Sequence, residues 1–358
     1  MANIFGSIGL ADNDRVFNGV VGQQTIFEIA KTYVAERNAE LDLLTSVFIE
    51  RTTEDFKWRY KLPGGGFLGT IDGQGRYGNS KASGKWDVAF PLHDYGREIA
   101  GNRVALAYMT AEEFSLHVDN VVMQNVNTMR FRILKALFNE NQDTFTDPIQ
   151  GSLSIEPLAN GDSVVYPPVV GSTTEATEDH YLESGYAATA ISDTNNPYKV
   201  LVAELDHHTG EVTGGDAICT FIHRDEVPET EDLSDFVQVE DRFIRQGNDA
   251  DVPFGLPNVP GKIIGRTNGS WVVQWSHIPT GYALSVNLDE TPPLIKRTDP
   301  SDTGLPVGLT LVEPEEGIQP YTSSTWVHRF GLGAGNRLNG VAMEFGSGGT
   351  YTTPTAYA

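Results

Sequence analysis

"DFKWRYKLPGGGFLGTIDGQGRYGNSKASGKWDVAFPL", Asp55 to Leu92, decides the fold. Its two ends alternate. Phe56, Trp58 and Tyr60 fall on one side, and Lys57, Arg59 and Lys61 on the other. Trp86, Val88 and Phe90 repeat the pattern. A period of two marks a strand with one apolar face. Between the strands lies a glycine-loaded tip. The stretch is therefore a ribbon of two long strands. Such a ribbon is marginal alone in water, so its aromatic face needs a covering surface. Lys57, Arg59, Lys61, Arg76, Lys81 and Lys85 also make it the most basic stretch of an acidic chain.

Downstream, "MTAEEFSLHVDNVVMQNVNTMRFRILKALFNE" predicts a helix over about 111–138. Thr110 followed by Glu113 is a capping box. Phe114, Val118, Val122, Val126, Met129, Ile133 and Leu137 recur every three or four residues. At 1.5 Å per residue the helix is about 40 Å long. Upstream, residues 1–22 read as irregular, residues 25–48 as helical, and "SVFIERTT" as extended.

The remaining segments are shorter. "TEATEDHYLESG" (174–185) reads as a short helix closed by Gly185, and "YKVLVAEL" (198–205) as a buried strand. "HRDEVPETEDLSDF" (223–236) reads as an acidic surface loop. "PGKIIGRTNGSWVVQWSHIPTGYALSVNL" (260–288) is strand, turn, strand, broken at Asn268-Gly269 and at "IPTGY". The last strand is "GVAMEF". There is no internal repeat.

Composition bounds the function. The 358 residues include 39% hydrophobic and 10% aromatic side chains, enough for a large core. The 37 glycines and 19 prolines favour a strand-rich design. A net charge of −23 repels nucleic acid, whose binding needs Lys and Arg to displace counterions. The single cysteine, Cys219, sits in apolar "AICTFIH" and reads as a structural thiol in a chain without a disulfide framework. No apolar run is long enough to span a bilayer. The start lacks a basic n-region, so the expectation is a protein made and used in a reducing cytoplasm.

Catalytic patterns are weak. Gly331, Gly333 and Gly335 in "GLGAGN" imitate a dinucleotide loop, but a helix must follow such a loop, and "RLNGVAMEFG" reads as a strand. These glycines are expected to permit a tight turn between the last two strands. His207-His208, with His223 and Glu211 nearby, reads as a surface turn rather than a metal site, and His180 as a packed histidine. No nucleophile elbow or calcium loop is present. The expectation is no catalytic, cofactor-binding or metal-binding residue.

The order of elements resembles a known family: an extended arm, a glycine-tipped hairpin, one long helix, a mixed region and a final strand pair. It is similar to the major capsid proteins of tailed bacteriophages, with their α+β Hong Kong 97-type fold. The local stretches that carry the resemblance are "WVVQWSHIPTGYALSVNLDETPPLIKRTDP" (Trp271–Pro300), "GLPVGLTLV" (Gly304–Val312) and "WVHRFGLGAGNRLNGVAMEFG" (Trp326–Gly346).

The resemblance implies a layout. Residues 1–53 would be the N-arm and 54–96 the E-loop that lies over a neighbouring subunit. Residues 97–185 would be the P domain with its spine helix, 186–315 the A domain, and 316–358 the strands returning to the P domain. Trp58, Tyr60, Lys61, Arg76, Lys85, Trp86 and Phe90 in the ribbon, with Arg329, Asn336 and Arg337 near the end, become candidates for contacts between subunits. The implied role is non-enzymatic: self-assembly through hexamers and pentamers into an icosahedral virion capsid, built in the host cytoplasm. The shell encloses double-stranded DNA without sequence-specific binding, and no membrane or cofactor is involved. Implied partners are a portal protein, a decoration protein and a separate scaffolding protein, the last because about 25 residues precede the first helix. Lysine–asparagine cross-links of the kind one relative forms are not expected. An encapsulin-like cellular compartment shares the resemblance. A strand-rich carbohydrate-binding or hydrolytic protein, stacking sugars on Trp58 and Trp86, is the rival from another class.

Overall fold

The computed structural model describes residues 32, 34, 45–61, 85–102, 110–170, 172, 174–208, 218–239, 258–312 and 321–358. Most of the predicted N-arm and the ribbon tip with Arg76 and Lys81 lie outside the described residues.

The first strands are β1 (Ile49–Thr53), β2 (Lys57–Lys61), β3 (Lys85–Ala89) and β4 (His93–Asn102). Helix α1 (Ala111–Phe138) follows, with the length that the spacing predicts. Next come β5 (Asp143–Asp147), β6 (Gly151–Ile155) and β7 (Tyr181–Glu183). Helix α2 (Pro197–Asp206), β8 (Ile218–Ile222), helix α3 (Val227–Glu231) and β9 (Val237–Gln238) come after them. The strands β10 (Lys262–Thr267), β11 (Ser270–Gln274), β12 (Tyr282–Asn287) and β13 (Leu294–Arg297) lead to β14 (Thr310–Val312), β15 (Tyr321–Ala334) and β16 (Val341–Glu344).

The chain forms two units, each built from separate stretches. In the first (Met1–Thr45, Leu92–Arg132, Arg297–Gly331), β4 and β14 both run antiparallel to β15. Trp326 on β15 is fully buried among Val118, Val121 and Val122 of α1 and Leu309 and Leu311. The capping box forms as read: the Thr110 hydroxyl accepts from the Glu113 amide at 3.2 Å, and the Glu113 carboxylate accepts from the Thr110 amide at 3.0 Å. One detail of the helix differs from its apolar spacing. Asn125, not Val126, is on the buried face, and its Oδ1 meets His328 Nδ1 at 2.6 Å. A buried hydrogen bond between the two side chains replaces one apolar contact there.

The second unit (Ser46–Pro91, Ile133–Lys296, Leu332–Ala358) holds a seven-stranded sheet in the order β7-β16-β12-β8-β11-β10-β9. Central β8 is buried at every position, parallel to β11 and antiparallel to β12. Cys219 lies within it, and burial pushes its thiol up to about 12, which makes it unreactive. The Thr220 hydroxyl sits between Ser270 Oγ at 2.6 Å and Ser285 Oγ at 2.7 Å, so the polar atoms in this buried centre satisfy one another. The turn at Asn268-Gly269 is as read, with φ of 47° and 84°.

Three expectations fail. Residues 198–205 are helix α2, not a strand. Asn196 caps it, accepting from Tyr198 N at 3.0 Å and Lys199 N at 3.3 Å, and Pro197 stands in the first turn. Tyr198, Leu201 and Leu205 then form its buried face at helical spacing. Conversely, 174–185 contains no helix. His180 N donates to Ala159 O, and Tyr181–Glu183 pair parallel with β16 at the sheet edge. Sheet pairing outweighs the weak helical propensity of a segment with no apolar stripe. Third, the acidic stretch 223–236 is not wholly surface. It contains α3, and Glu226, Thr230 and Leu233 are buried.

Candidate intersubunit contact site

The ribbon base has the register Trp58↔Val88, Arg59↔Asp87, Tyr60↔Trp86 and Lys61↔Lys85. On its charged side, Asp87 binds Arg59 through two hydrogen bonds of 2.6 and 2.9 Å and Lys57 at 2.9 Å. Arg59 first, then Lys57, holds the Asp87 carboxyl well below the usual carboxylate range. These pairs are exposed, so they orient the face more than they stabilise it.

The aromatic side forms one stack. Tyr60 lies on Trp86 at 5.2 Å, Trp58 meets Phe90 edge-on at 5.5 Å, and Trp86 touches Tyr166 at 5.4 Å. Arg51 sits 4.2 Å over the Trp58 ring. Val88 and Phe90 are fully buried against Ile295. The covering surface that the aromatic face needs, which the resemblance places on a neighbouring subunit, is supplied in part by the chain itself. Its base is covered by its own unit, and Phe90 is not open to a neighbour. Trp58, Tyr60 and Trp86 remain half-buried.

The glycines of "GLGAGN" explain how the base fits. Gly333 belongs to β15, not to a turn. A Cβ there would stand 2.7 Å from Phe90 Cδ1 and 2.9 Å from the Ala89 carbonyl oxygen. A Cβ on Gly335 would stand 2.4 Å from Ile295 Cδ1. Close packing, rather than turn conformation, requires both. The turn before β16 uses Gly340, at φ 146°.

The late candidates are engaged within the chain. Arg329 binds Asp94 and Asp299. Asn336 donates to Thr291 O at 3.1 Å and accepts from Leu338 N at 3.2 Å. Arg337, expected to reach a neighbour, is 1% exposed. Its Nε donates to Pro157 O at 2.7 Å, and its Nη2 donates to Leu158 O and Asn160 Oδ1, both at 3.1 Å, and pairs with Asp162 at 2.8 Å. It braces the interior of the second unit and is corrected to that role.

The sequence reading missed exposed apolar side chains. Ile149, at the β5–β6 turn, is 87% exposed, and Val237 is 69% exposed. Leu305 and Val307 stand out together after the turn at Ser301–Thr303. An isoleucine at a tight turn, in "TDPIQG", was the available signal.

Two polar clusters were also missed. Glu226 is buried, and its Oε1 accepts from Gly281 N at 2.6 Å while Oε2 has no hydrogen-bond partner. Burial pushes its carboxyl up to about 7 from an ordinary 4.5. Between those values the folded protein keeps a proton that the unfolded chain has released, so stability falls as pH rises through the window. The loss is complete above about pH 7 and amounts to about 2–3 kcal/mol. Glu226→Gln keeps the acceptor for Gly281 and escapes the loss. Denaturant unfolding at both ends of the window should show the variant gaining on the parent as pH rises; parallel curves would refute the assignment.

The second cluster surrounds His207. His207 Nε2 lies 3.5 Å from Glu178, its Nδ1 lies 3.8 Å from Glu204, and His208 Nε2 lies 3.5 Å from Glu178. The fully buried His180 stands behind them, its ring perpendicular to that of His207 at 6.3 Å. Burial lowers both His180 and His208 to about 4, so both are neutral at pH 7. Reading 198–205 as a strand hid this group, because only a helix puts Glu204 and His207 on one face.

A two-stranded ribbon base, a 28-residue helix and a seven-stranded sheet follow one another here in an α+β fold of the Hong Kong 97 type, the capsid fold of tailed phages. A solved chain of Mycobacterium phage Patience matches 98% of this chain over 98% of its own length, with a TM-score of 0.66 and 17% identity. The capsid of a native GTA particle (85% of this chain, 90% of its own, TM-score 0.48, 10% identity) and that of cyanophage P-SCSP1u (83%, 86%, TM-score 0.48, 10% identity) are looser likenesses. No protein-family model and no curated protein sequence matches the chain.

Proposed function

We propose that the chain is the major capsid protein of a tailed phage, a non-enzymatic building block of the shell around packaged DNA. The whole-length likeness in fold to a phage chain carries this reading. Hexamers and pentamers of the chain form the icosahedral wall, assembled in the host cytoplasm with scaffolding, portal and decoration proteins. The N-arm is 1–53, the E-loop 54–96, the A domain 186–315, and the P domain 97–185 with 316–358. Contacts come from the ribbon beyond its covered base, including Arg76, and from exposed Ile149, Leu305 and Val307. Apolar groups left in water on one copy are the material that a neighbour buries. A net charge of −23 disfavours tight binding of DNA to the wall.

Expression of the chain, alone and with a co-expressed scaffolding protein, followed by size-exclusion chromatography and negative-stain microscopy, tests the proposal. Closed particles or capsomers are expected. Monomers and dimers alone, under both conditions, would end it.

A further inference from the structure

His180, His207 and His208 gather at the C-terminal end of α2. His180 is fully buried and carries a ring nitrogen, Nε2, with no hydrogen-bond partner. Its other nitrogen, Nδ1, lies 2.9 Å from the Gly340 carbonyl. A carbonyl oxygen can only accept, so Nδ1 bears the hydrogen and Nε2 presents a lone pair. A buried acceptor left unpaired is destabilising. The same arrangement, with one imidazole nitrogen held by a carbonyl and the other bare, is how metal-binding histidines are oriented.

Two further donors stand close to the His180 ring. One ligand atom each from His180, Glu204 and His207 lies within 4.8 Å of the others. His207 Nδ1 and Glu204 Oε1 are 3.8 Å apart. A tetrahedral ion at zinc distances sets its donors about 3.4 Å apart, so small side-chain rotations close the gap. The other nitrogen of His207, Nε2, has no hydrogen-bond partner, and a Glu178 carboxylate oxygen stands 3.5 Å from it, close enough to accept after a small rotation. His207 is also the C-cap of α2, where the helix dipole favours a cation.

We propose that His180 Nε2, His207 Nδ1 and Glu204 bind one divalent transition ion of the zinc class, with Glu178 and the Gly340 carbonyl orienting the two imidazoles. Two imidazoles and a carboxylate suit zinc or cobalt over calcium or magnesium, which take oxygen donors. The fourth position is left to water. The site ties together the end of α2, the segment entering β7 and the turn before β16. Its role is a clamp on the second unit.

The full chain, treated with chelator and dialysed, is titrated with Zn²⁺ alone and with Co²⁺ alone. The expected result is one Zn²⁺ per chain retained through gel filtration, and the intense visible bands of four-coordinate cobalt. Glu204→Gln, at a half-buried position, should fold normally and weaken zinc binding by about 100-fold. Zinc should raise the melting temperature of the parent but not of this variant. Glu178→Gln should weaken binding by about 10-fold. Less than a tenth of an equivalent of zinc bound overturns the proposal. So does retention by Glu204→Gln alongside loss in Glu178→Gln, which would move the ion to Glu178, His207 and His208. Shell assembly is not read in any of these measurements, so the site and the capsid reading stand or fall separately.

Discussion

Arg337→Ala destabilises the second unit by about 3–5 kcal/mol, measured as the shift in denaturant unfolding followed by tryptophan fluorescence. The guanidinium is 1% exposed, and it satisfies the Pro157 and Leu158 carbonyls and Asn160 Oδ1 while pairing with Asp162. Alanine removes a strong donor from two backbone oxygens, opens a cavity beneath the Tyr166 ring and leaves the Asp162 carboxylate without its partner. Lysine does not repair this, because one ammonium cannot reproduce a planar fork aimed at four acceptors. Arg59→Ala provides the contrast: its partner Asp87 is at the surface, and the unfolding midpoint should barely move. A loss of less than 1 kcal/mol for Arg337→Ala would mean that water replaces the guanidinium, and the bracing role would be abandoned.

Gly333→Ala has the second large effect, about 2–3 kcal/mol. A single methyl would press on the Phe90 ring and, more seriously, on the Ala89 carbonyl oxygen at 2.9 Å. The ring can turn, but the carbonyl belongs to the ribbon backbone. The ribbon base must therefore shift, and tryptophan emission from Trp58 and Trp86 should change in the native state. Gly348→Ala is the control, since its methyl would meet nothing closer than 3.6 Å. Phe90→Leu combined with Gly333→Ala should recover only the part of the loss that the ring causes. Full recovery would show that the backbone contact is unimportant.

Much of this fold was legible where periodicity was long. The ribbon strands alternate cleanly, and α1 carries both an apolar stripe and a capping box, so each could be placed within a residue or two. Short elements were less legible because their partners are distant in sequence. Tyr181–Glu183 became a strand through pairing with β16, more than 150 residues later, and nothing local announces that. Helix α2 was different, since its signal was present. Asn196-Pro197 is a helix start, but β-branched and aromatic residues in "YKVLVAEL" masked it. That single misreading also hid the Glu204–His207 face. Among the contact candidates, the aromatic ribbon was recognised as needing cover, but sequence could not say that Ile295 and Tyr166 supply it. Arg337 looked like a surface charge because burial of an arginine depends on acceptors 180 residues away.

Cys219 is the only thiol in the chain, and it lies at the middle of the seven-stranded sheet with neither solvent access nor a usable thiolate. An alkylating reagent can therefore mark it only when that sheet comes apart. The molecule carries an internal timer for its own rupture, one that ignores loosening elsewhere on its surface.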